Sequence, residues 1–314
     1  MQSELKRESV TQKIRLGVFL VHLWPHLTKP AVEQLIAAGK VKINEQPARK
    51  AGQYLHSGDV VTATAPAFLD KSEQSLFPPP LPMTLLYEDD TLLVVEKPAG
   101  MFTHAPYQDQ TGNSLSYQLQ QRYPALAHVG GIDRAGILQR MEKEVSGLLL
   151  VARNSESYRA LKHEIKRRRV EQTYSALVSG RLKGPDTITV PIGDSKRGRG
   201  MRRVVHAGRP VSTSYQVQRH YNSAGEAYTL LILEPDAARL HQMRVHLAWL
   251  GCPIVGDTLY GDSRQPILSD RLFLHLSVLN FSHPLTAERV RVESALPAAL
   301  ASILRYMARP KHLR

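Results

Sequence analysis

Ile137-Leu138-Gln139-Arg140-Met141-Glu142-Lys143-Glu144-Val145-Ser146-Gly147-Leu148-Leu149-Leu150 is the stretch on which the reading of this chain turns. Its second half is an apolar run with the look of a buried strand. Its first half sets Glu142 among Arg140, Lys143 and Glu144. Taken alone, that cluster is an ordinary surface ion-pair network, which contributes little to stability. The Glu142 and Glu144 pair could also suggest a glycoside hydrolase, but nothing around them marks a flanked sugar pocket. One carboxylate, Glu142, therefore decides between an enzyme and a binder, and the flanking sequence has to supply the reason.

The chain has 314 residues, 42% of them apolar, enough for one large domain and a small module with a substantial core. Forty-one Lys and Arg against 28 Asp and Glu give a net charge of +13. That balance favours a polyanionic partner, because each phosphate contact releases a condensed counterion. The single cysteine, Cys252, excludes an internal disulfide and a cysteine-cluster zinc site, and it suits a reducing compartment. The 13 histidines lack metal-ligand spacing, so no metal is expected. Met1 to Glu8 are mostly polar and charged, with no secretory apolar region, and no apolar run approaches the length of a membrane span. A soluble cytoplasmic protein, acting as a monomer, is the expectation.

Residues 14–66 read as a compact module. An apolar segment (Ile14, Leu16, Phe19, Leu20, Leu23) leads to Thr28 as an N-cap, with Pro30 just inside a short helix and Gly39 as its stop. Val41 and Ile43 alternate with Lys40 and Lys42 as in a half-buried strand, Asn44-Glu45-Gln46 makes a turn, and Val60-Val61 begins another strand. Residues 67–82, ending Phe77-Pro78-Pro79-Pro80-Leu81-Pro82, read as an extended linker. Beyond it the reading places a domain over 83–308 and a basic tail over 309–314. Strands are expected at Leu85-Leu86-Tyr87, 92–96, 171–178, 210–218, 228–233 and 290–294. Helices are expected over 155–168, capped by Asn154, and over 297–307. Many strands with a few interspersed helices argue an α+β domain with a mixed, largely antiparallel central sheet.

Five phrases in fixed order carry a resemblance. They are Tyr87-Glu88-Asp89-Asp90 with Val95-Glu96-Lys97-Pro98-Ala99-Gly100; Arg134-Ala135-Gly136-Ile137 with the stretch quoted above; Val170 to Gly180 around Tyr174; Arg239-Leu240-His241-Gln242-Met243-Arg244 with Gly256-Asp257 and Leu259-Tyr260-Gly261; and Leu274-His275, His283-Pro284 and Ser294-Ala295-Leu296-Pro297. Together they resemble the RluA-type RNA pseudouridine synthases, of the RluD/RluC-like kind. Residues 14–66 resemble the alpha-L RNA-binding module first described in a ribosomal protein. The bland reading of that module is a solvated basic face on Arg15, Lys29, Lys40 and Lys42. The family's active-site pattern is His-Arg-Leu-Asp-Lys-x-Thr-Ser-Gly-Leu, from which Gln139, Met141, Glu142 and Val145 depart.

The resemblance implies an RNA-modifying enzyme that acts on structured, ribosomal RNA without a nucleotide cofactor. The reaction breaks the uridine N1–C1′ bond, turns the uracil, rejoins it through C5 and removes the C5 proton, on a base first flipped out of its stack. Position by position, Glu142 takes the nucleophile's place, Tyr174 the ring that packs on the uracil and stands as a candidate relay for the C5 proton, and Arg244 the cation that pairs with the carboxylate. Arg140 supports flipping, and Lys97, Arg239, His241 and Gln242 complete the RNA-facing pocket, with Arg15 and Lys29 on the module. Without the surrounding phrases, Tyr174 reads as a core residue and Arg244 as a bridge between strand and helix. Asp133 mimics the missing aspartate but lies nine residues before Glu142. Glu for Asp adds a methylene, which moves the carboxylate by about 1.5 Å, and a misplacement of about 1 Å can cost on the order of 10²-fold in rate. Gln172 and Leu240 depart from the family's lysine and threonine. The alternative is thus a homologue that binds RNA and assists ribosome assembly without isomerising. Finally, Lys196, Arg197, Arg199, Arg202 and Arg203, interleaved with glycine, read either as an RNA-backbone clamp or as a solvated loop.

Overall fold

A computed structural model describes residues 3–24, 29–66, 81–104, 113–131, 134–195, 201–223, 225–261 and 271–309, without the side chains of 3, 4, 29–31, 34, 65 and 66. The stretch 67–80, the tail from 310, Thr28, Asp133, Lys196, Arg197, Arg199 and the side chain of Lys29 lie outside that description. The chain divides near residue 80 into two compact units.

The N-terminal unit contains strands β1 (Ser3–Ser9) and β2 (Ile14–Arg15), helices α1 (Leu16–Leu23) and α2 (Lys29–Ala37), and strands β3 (Val41–Ile43), β4 (Gln46–Pro47), β5 (Tyr54–Leu55) and β6 (Val60–Pro66). Leu16, Leu20, Trp24, Val32, Val41 and Leu55 form its core. Gly39, with φ +69°, ends α2 as expected: its N–H donates to Ile36 at 3.0 Å, and that of Lys40 donates to Leu35 at 2.9 Å. Strand β1 was not announced by apolar alternation. Among the described residues it is an edge strand, paired with β6 alone, so its mostly polar residues need bury little.

The larger unit contains β7 (Thr84–Glu88), β8 (Leu92–Lys97), α3 (Leu115–Arg122), β9 (Ser146–Ala152), α4 (Ser155–Lys166), β10 (Glu171–Ser179), β11 (Asp186–Ile188), β12 (Ile192–Asp194) and β13 (Arg202–Val204). They are followed by β14 (Thr213–Ser223), β15 (Glu226–Pro235), α5 (Gln242–Trp249), β16 (Leu274–Ser282), β17 (Arg289–Glu293) and α6 (Ala298–Ala308). One sheet runs β11-β14-β15-β10-β16-β9-β8-β7, with β17 also on β16. The β9–β16 pair is parallel and its other pairings are antiparallel. The expected α+β architecture with a mixed, largely antiparallel sheet is therefore present.

Every residue of β9 is buried, which explains the continuous apolar run that follows Glu142. Gly147 starts that run at φ +127°, and a Cβ there would meet the Leu276 carbonyl oxygen at 2.3 Å. The Ser-Gly-Leu phrase thus belongs to the close parallel approach of β16. Asn154 caps α4, accepting from the Ser157 N–H at 2.9 Å. Strand β14 starts at Thr213, not at 210, because the Asp236 carboxylate takes the Ser212 N–H at 2.9 Å. The described ends of the glycine-rich basic stretch belong to a hairpin in which β12 and β13 pair Asp194 with Arg202.

Candidate active site

Glu142 lies in the loop before β9, and that loop is held from several sides. Thr103 Oγ1 donates to the Met141 carbonyl at 2.7 Å and accepts from the Met141 N–H at 3.1 Å. The Gly100 N–H donates to the Lys143 carbonyl at 2.7 Å. At the end of β8, Lys97 is fully buried. Its ammonium donates to the carbonyls of Val145 (2.7 Å), Met101 (2.9 Å), Pro98 (3.0 Å) and Lys143 (3.4 Å). Lys97 was expected to face RNA; instead it satisfies loop carbonyls that would otherwise be stranded in the interior. Burial pushes its pKa down to about 7, with Glu144 acting in the opposite direction.

Helix α5 brings the cation. Arg244 Nη1 donates to Glu142 Oε2 at 2.5 Å, while Nε and Nη2 grip Asp257 Oδ2 and Oδ1 at 2.8 and 2.6 Å. One guanidinium therefore serves two carboxylates, a geometry only its planar fork allows. Burial works against the charge of Arg244, but the Asp257 hydrogen bonds and the Glu142 charge outweigh it, so its pKa is raised. The second Glu142 oxygen, Oε1, accepts from the His241 N–H at 3.1 Å. His241 stands in the left-handed region, φ +60°, at the N-terminus of α5, which turns its N–H toward the carboxylate. Its ring Nδ1 meets the Tyr260 hydroxyl at 2.7 Å, and that oxygen also accepts from the Arg202 N–H at 2.9 Å. The other His241 ring nitrogen, Nε2, lies 3.4 Å from Glu142 Oε2. Burial lowers the His241 pKa, which favours the neutral ring.

Tyr174, on β10, is buried, and its hydroxyl donates to Gln172 Oε1 at 2.9 Å. Burial, reinforced by the Glu142 charge, raises its pKa, so the phenol keeps its proton. Tyr174 and Glu142, with Arg140, Arg239, Leu240 and Met243, line a cavity of about 250 Å³. Tyr174 stands 32 positions after Glu142, and the span between them holds β9, α4 and the start of β10. Glu142 keeps 16% of its side-chain surface exposed, enough to be reached from this cavity.

The remaining expected site residues divide. Arg140 and Arg239 are exposed at the cavity. Gln242 is buried, with Nε2 donating to the Ser212 carbonyl at 2.8 Å and Oε1 accepting from the Arg239 N–H at 3.0 Å. It braces the turn into α5 from the interior, where sequence reasoning expected an RNA-facing amide. The Arg202 guanidinium is paired with Asp194, an acid one residue before the basic stretch. Arg15, in the other unit, is exposed, with its guanidinium 5.1 Å from the Tyr54 ring centroid. Sequence reasoning assigned no role to Asp257 or Tyr260, although both lie in the quoted phrases. The usable signal was the acid of Gly256-Asp257, since a buried arginine fork needs a second acceptor. Among the described residues, no three His, Cys, Asp or Glu side chains are grouped to hold a metal.

A carboxylate clamped on a buried arginine beside a tyrosine-walled cavity, carried on this mixed sheet, defines the class of site that the phrases implied. Comparison with known proteins agrees. Residues 91–249 match the family described as RNA pseudouridylate synthase, and residues 14–61 match the S4 domain. The chain is 36% identical over 302 residues to an uncharacterized RNA pseudouridine synthase of Chloroflexus aurantiacus, covering 93% of this chain and 90% of that one. It is 31% identical over 306 residues to the ribosomal large subunit pseudouridine synthase D of Nitrosomonas europaea, covering 95% and 86%. The structure of human RNA pseudouridylate synthase domain containing 1 aligns with a TM-score of 0.56 at 26% identity, covering 73% of this chain and 96% of that one. The chain belongs to the RluA-type RNA pseudouridine synthase family, enzymes that act on RNA, and carries an N-terminal S4 module.

Proposed function

We propose that this chain isomerises uridine to pseudouridine in structured, ribosomal RNA, with Glu142 in the nucleophile's role. The observation that carries the reading is the seat of the Glu142 carboxylate. Despite its extra methylene, it reaches Arg244 at 2.5 Å and the His241 N–H at 3.1 Å while bordering the cavity that holds Tyr174. In that position Arg244 holds the carboxylate in place for attack as the N1–C1′ bond breaks. Tyr174 offers a face against which the freed uracil turns; C5 then bonds to C1′ as the Glu142–C1′ bond breaks, and the C5 proton leaves to solvent water, with the protonated phenol acting as a platform and not as an anionic base. Arg140 and Arg239 are set for the phosphates of a flipped nucleotide. The name of the Nitrosomonas europaea relative supports a ribosomal substrate. Residues 14–66 serve as the RNA-binding module, joined through 67–82 to the catalytic domain over 83–308. A single chain carries the carboxylate, the arginine and the tyrosine, which supports action as a monomer. The buried free thiol of Cys252 and the absence, among the described residues, of a helix long and apolar enough to cross a membrane support action in the cytoplasm.

One observation favours a second reading, an RNA-binding factor that no longer isomerises. Both Glu142 oxygens are engaged by the protein itself, so attack on a ribose has to compete with these hydrogen bonds. Tritium release from C5-labelled uridine in ribosomal RNA transcripts decides between the two. Release by the native chain and none by Glu142→Ala is the expected result. No release by the native chain, with clear release by Glu142→Asp, would establish the binder.

A further inference from the structure

Both polar atoms of the Gln139 side chain, Oε1 and Nε2, are shut off from solvent and have no hydrogen-bond partner among the described residues. An unpaired buried amide costs stability, and native proteins keep few of them. Gln139 stands three residues before Glu142 and lines a second cavity of about 390 Å³, within the range of small-molecule sites. This cavity shares Arg140, Tyr174 and Arg239 with the Glu142 pocket, yet Glu142 does not line it. Gln172 lines it too. Its Oε1 is occupied by the Tyr174 hydroxyl, and its Nε2 protons have no acceptor among the described residues. Lys166, Arg140 and Arg239 are exposed on the same cavity, without an acidic partner among the described residues.

We infer that this cavity is a second nucleotide subsite, which takes the base of the RNA nucleotide next to the target uridine and reads its edge with the Gln139 amide. The inference rests on the reading of the Glu142 pocket as the uridine site. Because the two cavities share a wall at Tyr174, a strand whose target sits at Glu142 passes directly into the second one. Its phosphates meet the three exposed cations, while the uncharged amides are left for the base, since a glutamine offers adjacent donor and acceptor atoms to a base edge. No internal hydrogen bond of the Gln139 amide has to break when it swings into the cavity, so a matching edge relieves the unpaired state. Bases held this way are unstacked, which is where RNA is read by sequence.

The test uses the full-length protein and a pool of stem-loop RNAs that carry one loop uridine with randomised neighbours on both sides. RNA retained by the native chain and by Gln139→Leu is sequenced, and the thermal midpoint of each protein is measured. The native chain is expected to enrich one base at one position beside the uridine, on the order of tenfold. Gln139→Leu is expected to lose that preference while its midpoint stays level or rises, because an unpaired amide has been removed. An even base distribution with the native chain overturns the inference. So does an undiminished preference in Gln139→Leu, or a lowered midpoint, which would reveal a structural partner for the amide. Tritium release from the enriched RNA separates this from the function proposed above. Preference without release leaves the subsite standing and removes the synthase reading; release without preference removes the subsite alone.

Discussion

Two carboxylates share the guanidinium of Arg244, and the consequences of losing it differ between them. Asp257 has no exposed side-chain surface, whereas Glu142 borders a cavity. Arg244→Met leaves Asp257 as an uncompensated buried charge, which costs about 3–5 kcal/mol; urea unfolding of native and variant proteins measures it. Arg244→Lys retains the charge but cannot fork onto both acids. It is expected to lose less stability than Arg244→Met, and tritium release should fall on the order of 10²-fold as Glu142 loses its fixed position. Equal stability loss in both variants would mean that the fork, and not the charge alone, holds the site. At this scale the sequence was informative about Glu142, Tyr174 and Arg244, whose neighbours form recognisable phrases. It misled at Lys97 and Gln242. A cation or an amide is written the same way whether it serves a phosphate or the protein's own carbonyls, and the difference lies in burial.

The elements around the site are tied together by polar bonds buried between strands. On β16, His275 Nδ1 lies 2.9 Å from Ser146 Oγ at the start of β9, and its Nε2 lies 3.1 Å from Ser294 Oγ, which donates to Glu96 of β8 at 2.7 Å. Burial pushes the His275 pKa down to about 4. The unfolded chain binds a proton near pH 6.5 that the native state refuses until about pH 4, so stability is lost as the pH falls through that window. The loss is roughly 3 kcal/mol for this residue. Plots of unfolding free energy against pH should therefore be flatter between 6.5 and 4 for His275→Asn than for the native chain, and parallel plots would contradict the assignment. Lys97 makes the matching case for the loop after β8: Lys97→Met strands carbonyls and is expected to lose about 1–3 kcal/mol for each that stays unsatisfied, read from the shift in unfolding midpoint. Helix α4 and strands β8, β9 and β10 were legible because caps, apolar runs and alternation are local signals. Strands β1, β12 and β13 were not. They are short or polar, and their pairing partners are chosen by the tertiary structure.

Across the whole molecule the net charge of +13 pointed to a polyanion but not to which cations meet it, and burial now separates them. Arg15 in the S4 module and Arg140 at the cavity are exposed, whereas Lys97 is buried and Arg202 is paired with Asp194. Arg15 also leans on Tyr54, which is 51% exposed and has Lys13 within 5.1 Å of its ring, an arrangement suited to a stacked base beside a phosphate. Each phosphate neutralised by the protein contributes about 0.7–0.9 to the slope of log affinity against log salt. Arg15→Gln and Arg140→Gln should each reduce that slope by about 1 on a ribosomal RNA transcript. Arg202→Gln should leave it nearly unchanged, because its charge is already spent on Asp194. Anisotropy titrations at several salt concentrations measure all three. A slope reduced by Arg140→Gln but not by Arg15→Gln would assign backbone binding to the catalytic unit alone, and the S4 match would then mark a module whose basic face is merely solvated. Equal reductions would instead require one RNA to engage both units, since a contact made by only one of them cannot register in both variants.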